Sequence, residues 1–297
     1  MATPLTADAL ARALRDEGVD LSESGNWRTH NRNSRGAWGP VHGVMLHHTA
    51  GTDSLRLCRE GTADLPGPLC IGLITKDGTV HLVGYGRTNH AGSGSTAVLE
   101  AVRAEQAPLP APGPDAVDGN ARFYGFEIEN LGNGRDPYPA AQLSAVERLS
   151  AAICRAHDWS ASSVIAHKEW TRRKIDPSFS MSGMRQRVAA RLGSRPVSYE
   201  PFPGAAFFAL GRRSPLITAV GERLVAEGCG RYSTGPGPVW TQADVLSYAA
   251  WQRGLGYVGK DADGTPGRTS WDKLRVPRTW GAGRTREALE HPKGARR

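Results

Sequence analysis

Apolar positions along the chain recur with two different periods. Leu10 and Leu14 stand one helical turn apart behind Thr6, with Asp8 in the first turn and Gly18 beyond the end, which predicts an amphipathic helix over 6–17. Leu143, Val146, Leu149 and Ile153 share a helical face and predict a longer helix over 142–158. A third helix over 182–192 is expected to start at Ser182 as N-cap and stop before Gly193. Short apolar runs predict strands over 41–48, 123–129 and 163–166, and a hairpin of 69–75 with 79–83 around Lys76-Asp77-Gly78. Strands and helices alternate without strict βαβ regularity. The expected class is therefore α/β (α+β), a mixed central β-sheet flanked by helices, over residues 1–192.

The pattern changes after 192. Residues 193–204 contain three prolines, two glycines and two serines and read as a linker. Ser214-Pro215 then opens a helix carrying Leu216, Ile217, Val220 and Leu224, and Thr241 with Asp244 forms a capping box ahead of Val245, Tyr248 and Trp251. A last short helix starts near Thr269. These helices predict a small all-α domain over 205–277, followed by a Gly- and Arg-rich tail, 278–297, expected to be disordered.

Composition narrows the class. The 297 residues are 39% hydrophobic and 22% charged, and mean hydropathy is −0.42. The longest apolar stretches, such as 205–210, fall far short of the ~20 residues that cross a bilayer. Asp8 and Asp16 occupy positions that a signal peptide leaves uncharged, so a cytoplasmic site of synthesis and residence is expected. Cys58, Cys70, Cys154 and Cys229 are too sparse for a disulfide scaffold and contain no Cys-x-x-Cys pair. Ordinary thiols at Cys58 and Cys70 are favoured over a disulfide formed after release. Net charge is +8. Residues 195–297 hold 16 basic against 9 acidic side chains, whereas 1–194 are nearly balanced. This places an anionic partner, nucleic acid or an acidic polymer, at the C-terminal part.

Candidate chemistry lies at strand ends. His47 and His48 close an apolar strand, and alternation lets only one of them face a given site. His167 ends another apolar strand and precedes Asp176 in Arg172-Arg173-Lys174-Ile175-Asp176. From these residues alone, structural histidines with a salt-bridged Asp stand beside a second reading: two His and a carboxylate as a three-ligand catalytic zinc site. No His-Glu-x-x-His helix occurs. Glu127 and Glu129 share a face of their strand, either as a solvated edge or with one as a general base.

Five segments in order resemble the zinc-dependent N-acetylmuramoyl-L-alanine amidases, the family of peptidoglycan recognition proteins and amidase-type phage endolysins. They are Met45-Leu-His47-His48-Thr49-Ala50, Ile74-Thr-Lys-Asp77-Gly78-Thr79-Val80, Asn89-His90-Ala91-Gly92, Gly125-Phe-Glu127-Ile-Glu129-Asn130, and His167-Lys-Glu-Trp170 with Lys174-Ile-Asp176-Pro177. The resemblance spans roughly 38–192. It implies Zn2+ held by His47, His167 and Asp176, Glu127 as acid/base, Lys174 beside the scissile carbonyl, and His90, Thr49 and Asn130 as substrate contacts. Cys70-Ile71-Gly72 departs from relatives that carry a His there, and the insertion 107–120 is expected to form a substrate-facing loop.

The C-terminal domain resembles peptidoglycan-binding modules of actinobacterial phage endolysins, on Trp251 to Tyr257 and Asp261 to Trp271. Asp261-x-Asp263-Gly264 lacks the Gly and Glu that a calcium-binding EF-hand loop needs at its sixth and twelfth positions. Trp251 and Trp271 are expected in the helical core, leaving Trp240 or Tyr257 to stack on sugar. The resemblance implies a monomeric endolysin that waits in the host cytoplasm for a membrane lesion and then cuts wall peptidoglycan, with no membrane insertion. Two rivals stand beside it. A non-catalytic peptidoglycan recognition protein would lack the full ligand set; a nucleic-acid binder would rest on charge alone, without zinc-finger spacing or a basic helix.

Overall fold

Side-chain caps start several of the helices that cover the sheet. In the computed structural model, which describes residues 2–23, 25–194 and 199–278, the Thr6 hydroxyl accepts the Ala9 amide at 3.2 Å and begins α1 (Ala7–Asp16). The chain divides into two compact units, 1–196 and 197–297. The first continues through β1 (Leu21–Glu23), β2 (Gly43–His48), α2 (Ser54–Glu60), β3 (Gly72–Ile74), β4 (Val80–Leu82), β5 (Ser93–Ser95), α3 (Thr96–Arg103), β6 (Asp115–Asp118), β7 (Phe123–Ile128), α4 (Ala140–Ala156), β8 (Val164–Ala166), α5 (His167–Trp170) and α6 (Met181–Leu192). The cap of α6 is Ser180, whose hydroxyl accepts the Gly183 amide at 3.2 Å, so the helix starts before Ser182.

The main sheet is mixed, in the order β1-β4-β3-β7-β2-β8. Only β3 and β4 are antiparallel neighbours, as the Lys76-Asp77-Gly78 turn requires. Around them β7 pairs in parallel with both β2 and β3, and β8 lies parallel outside β2. Alternation divides the sheet's side chains between two layers. Val44, Leu46, Tyr124, Phe126, Ile128 and Val164 bury against Leu10, Leu14, Val146, Leu149, Ile153 and Val188 of α1, α4 and α6. At about 1.5 to 3 kcal/mol for each fully buried large side chain, this face supplies most of the unit's hydrophobic stabilisation. On the other face Met45, Phe123 and Ile165 pack with Val98, Val102 and Trp170 from α3 and α5. That second cluster covers the early part of the strands and leaves their C-terminal ends for polar groups.

The insertion expected as a loop over 107–120 contains β6, which pairs with β5 in a two-stranded sheet. Helices α2 and α3 also lie where no helix was predicted. Cys58 and Cys70 are buried free thiols packed with Leu73 and Val83.

The second unit contains α7 (Pro215–Ala226), α8 (Gln242–Gly254) and α9 (Arg268–Leu274). Ser214 caps α7, with Pro215 at its first turn. Ile217, Val220, Leu224, Tyr248, Trp271 and Leu274 form the core with Phe208 and Trp240. Trp240 is 1% exposed, which removes it from the candidates for sugar stacking: its ring packs against Phe208 at 4.9 Å. Part of the expected linker belongs to this unit, since Tyr199 bridges Pro277 and the Glu200 amide donates to the Val276 carbonyl. Residues 195–198 of that linker, and the expected tail beyond Arg278, lie outside the described residues. Among the described residues no helix is long and apolar enough to cross a membrane.

Candidate metal centre

Register brings the chemistry together at the C-terminal ends of β2, β7 and β8. His47 lies opposite Glu127, and Glu127 opposite Leu73, so these side chains share the face that also carries Met45 and Phe123. His48 points to the other face, where its Nδ1 lies 3.0 Å from the Tyr138 hydroxyl. His167 follows β8 as the first residue of α5. Nine residues later the chain returns, because the Lys168 amide donates to the Asp176 carbonyl at 2.9 Å.

Three donor atoms converge. His47 Nδ1 lies 2.9 Å from His167 Nδ1, and Asp176 Oδ2 lies 3.2 Å from His167 Nδ1 and 3.4 Å from His47 Nδ1. Among the described residues this is the group of three placed to hold a metal ion. Ligand bonds of about 2.0 to 2.1 Å in tetrahedral geometry separate donors by about 3.3 Å, so the triangle fits a zinc-sized ion. The outer nitrogens are engaged as well: His47 Nε2 lies 2.9 Å from His90 Nδ1, and His167 Nε2 lies 3.2 Å from the Ala91 carbonyl.

Burial sets the ionisation. Desolvation, then the neighbouring His167, lowers the His47 pKa to about 4, which keeps it neutral as a ligand must be. Burial opposes ionisation of Asp176 as well, but hydrogen bonding to His167 and His47 wins and holds its carboxyl far below the usual range. Arg173, expected among its neighbouring cations, instead pairs with Asp115 at 2.6 Å. Glu127 has the opposite shift. Burial, reinforced by the Asp176 charge, raises its pKa to about 8, and its Oε2 is shut off from solvent without a hydrogen-bond partner.

A groove of about 520 Å³ opens over these residues, lined among others by His48, Thr49, His90, Glu127, His167, Lys174 and Asp176. Lys174 is exposed at its rim beside Ile175, which is 74% exposed. The other expected substrate contacts have structural partners. The Thr49 hydroxyl donates to the Gly51 carbonyl and accepts the Asn130 amide at 3.2 Å, tying the ends of β2 and β7 together. Asn130 is 1% exposed and does not line the groove. Its amide group donates to the Asp136 carbonyl and accepts the Gly132 amide, both at 2.9 Å, and so shapes the loop after β7. His90 borders the groove and also contacts His47. Asn120, which drew no attention in the sequence, is buried beneath the loop that carries His90.

Residues 37–179 match the protein family described as N-acetylmuramoyl-L-alanine amidase. That segment holds every donor named above. None of the curated proteins compared matches the chain. Among solved structures, the chain is similar to the endolysin N-acetylmuramoyl-L-alanine amidase LysCS from Clostridium intestinale, at 18% identity over 57% of this chain and 94% of that one, TM-score 0.36. The E. coli amidase AmiD, solved with anhydro-N-acetylmuramic acid-L-Ala-D-gamma-Glu-L-Lys, is 18% identical over 83% and 91%, TM-score 0.36. An endolysin of a Thermus scotoductus bacteriophage is 18% identical over 57% and 98%, TM-score 0.35.

Proposed function

We propose that this protein is a zinc-dependent amidase of bacterial peptidoglycan, cutting the amide between the lactyl group of N-acetylmuramic acid and L-alanine. The observation that carries this reading is the convergence of His47, His167 and Asp176 beside the half-buried Glu127, one of whose carboxyl oxygens is shut off from solvent without a partner. A zinc ion bound there would polarise the scissile carbonyl, lower the pKa of the attacking water towards ~7 and draw the Glu127 pKa back down. Glu127 takes the proton from the water and passes it to the departing amine of L-alanine. Lys174, at the groove rim, brings its ammonium to the developing oxyanion, a contribution of about 3 to 4 kcal/mol for a well-placed donor. Asp176 stays ionised and faces both imidazoles, which keeps the ligand set in register.

The basic second unit fits a role in holding the enzyme on an insoluble anionic wall, where it raises the local concentration of cleavable bonds. An enzyme of this kind, joined to a wall-binding unit, suits host lysis and phage release. Digestion of purified walls by the zinc-loaded chain, followed by mass spectrometry, tests the reading. Stem peptides with a free L-alanine amine and intact glycan strands are expected. New reducing sugar ends, or cuts within the stem, would assign a different hydrolase, and wall binding without products would make it a recognition protein.

A further inference from the structure

Each imidazole that offers Nδ1 to a cation must carry its proton on Nε2, and that proton needs an acceptor. For His167 the acceptor is the Ala91 carbonyl at 3.2 Å, and for His47 it is His90 Nδ1 at 2.9 Å. Both acceptors come from one short stretch of chain. We propose that the loop Asn89–Gly92 is the outer shell of the metal centre, with His90 and Asn120 as positioning residues that fix both ligands in the Nε2-protonated form. This rests on the metal site proposed above and gives His90 a role other than substrate contact.

Two features hold the loop in place. The Asn120 side-chain oxygen accepts the amides of His90 at 2.9 Å, Ala91 at 2.8 Å and Gly92 at 3.4 Å. The same turn donates the Gly119 amide to the Gly92 carbonyl at 2.8 Å, so the loop is clamped at both its donors and its acceptors. The second feature is a gap in β7. A Cβ at Gly125 would lie 2.3 Å from His90 Cγ, which means that the imidazole rests on the strand backbone in space any other residue would fill. Gly125 lies in register with Met45, two residues before the Glu127–His47 pair. The absent side chain therefore sits beside the ligand strand, where His90 can reach His47 Nε2. An acceptor placed this way sets ring orientation and tautomer, and loss of such a partner typically weakens metal binding about 10- to 100-fold.

The test is zinc affinity of the metal-stripped full chain, measured by competition with a chromophoric chelator. His90→Leu removes the acceptor and should weaken zinc about 10- to 100-fold, whereas His90→Gln, whose side-chain oxygen can accept from His47, should bind close to wild type. Asn120→Ala should weaken zinc without touching any ligand, and it decides the matter if His90→Leu fails to fold. Wild-type affinity in His90→Leu or in Asn120→Ala, or equal losses in His90→Gln and His90→Leu, would overturn the inference while leaving the metal site intact. A wild-type chain that takes no zinc would overturn both.

Discussion

The two units bury polar side chains to opposite ends. In the second unit every buried polar group named here is closed by its neighbours. Asp244, 1% exposed, accepts from the Thr241 amide and hydroxyl, both at 2.7 Å, and from the Tyr232 hydroxyl at 3.0 Å. Gln252 donates to the Thr265 carbonyl and accepts the Gly264 amide, and the Tyr248 and Ser270 hydroxyls meet at 3.0 Å. At the strand ends of the first unit the buried groups are ionisable, crowded and left open on one side, with Glu127 Oε2 unpaired. A buried polar group without a partner costs about 1 to 3 kcal/mol. Such an arrangement persists only where the surrounding fold over-determines it, as the sheet and the Asn120 clamp do here. Closed polarity specifies a structure; open polarity is available to a ligand.

The sharpest way to break this contrast is to remove a donor from the open site. His47→Ala should abolish bound zinc and wall hydrolysis together, while His48→Ala, on the other sheet face, should leave zinc stoichiometry near wild type. Metal analysis of the two purified variants decides it, and unchanged zinc in His47→Ala would end the assignment. Glu127→Gln should come next, with zinc retained and amine release reduced ~100-fold to 10,000-fold, the usual worth of a general acid/base. Glu129→Gln serves as its control, because Glu129 lies past the end of β7 and outside the groove lining. If Glu129→Gln is the inactive variant at equal zinc occupancy, the base is misassigned.

In the closed region, effects should be structural and local. Asp244→Ala strands the Thr241 and Tyr232 donors and should destabilise the second unit by about 2 to 3 kcal/mol. Hydrogen exchange of the α8 amides should report that loss while β2 protection and zinc affinity stay constant. A fall in zinc affinity would show that the two regions are not energetically separate.

The smallest effect concerns His42, just before β2. Burial, then Arg103 and Arg122, lowers its pKa to about 4 from 6.5. The unfolded chain thus binds its proton first as pH falls. Stability from this group is complete above about pH 6.5 and is lost progressively towards pH 4. Urea unfolding at pH 7 and pH 5 should show the slope of stability against pH reduced by about 1 kcal/mol per pH unit in His42→Gln. An unchanged slope would place the acid sensitivity elsewhere.

Much of the fold was readable from local pattern. The Thr6 cap, the Lys76-Asp77-Gly78 hairpin, the face of α4 and the Thr241/Asp244 capping box all follow from residues within one or two turns of each other. Local signals were also missed. Ser95 caps α3, its hydroxyl accepting the Val98 amide, and Val98 with Val102 marks its buried face, yet the surrounding glycines and prolines obscured the element. Trp240 was misplaced for a different reason: a residue between elements reads as exposed until the packing of Phe208 and Tyr248 around it is known. Asn120 carried no signal at all, because an asparagine in a Pro- and Gly-rich insertion is ordinary until its oxygen is seen facing three amides.

The division at the site itself has a simple cause. Alternation along one strand is a local property, so the chain alone determines that His47 and His48 face opposite ways and that His47 shares a face with Met45. Which strand lies beside β2, and in what register, depends on contacts between residues far apart in sequence. The pairing of His47 with Glu127, the return of Asp176 to His167 and the placing of His90 in the gap at Gly125 were decided only when β7, β8 and the 89–92 loop packed around that strand.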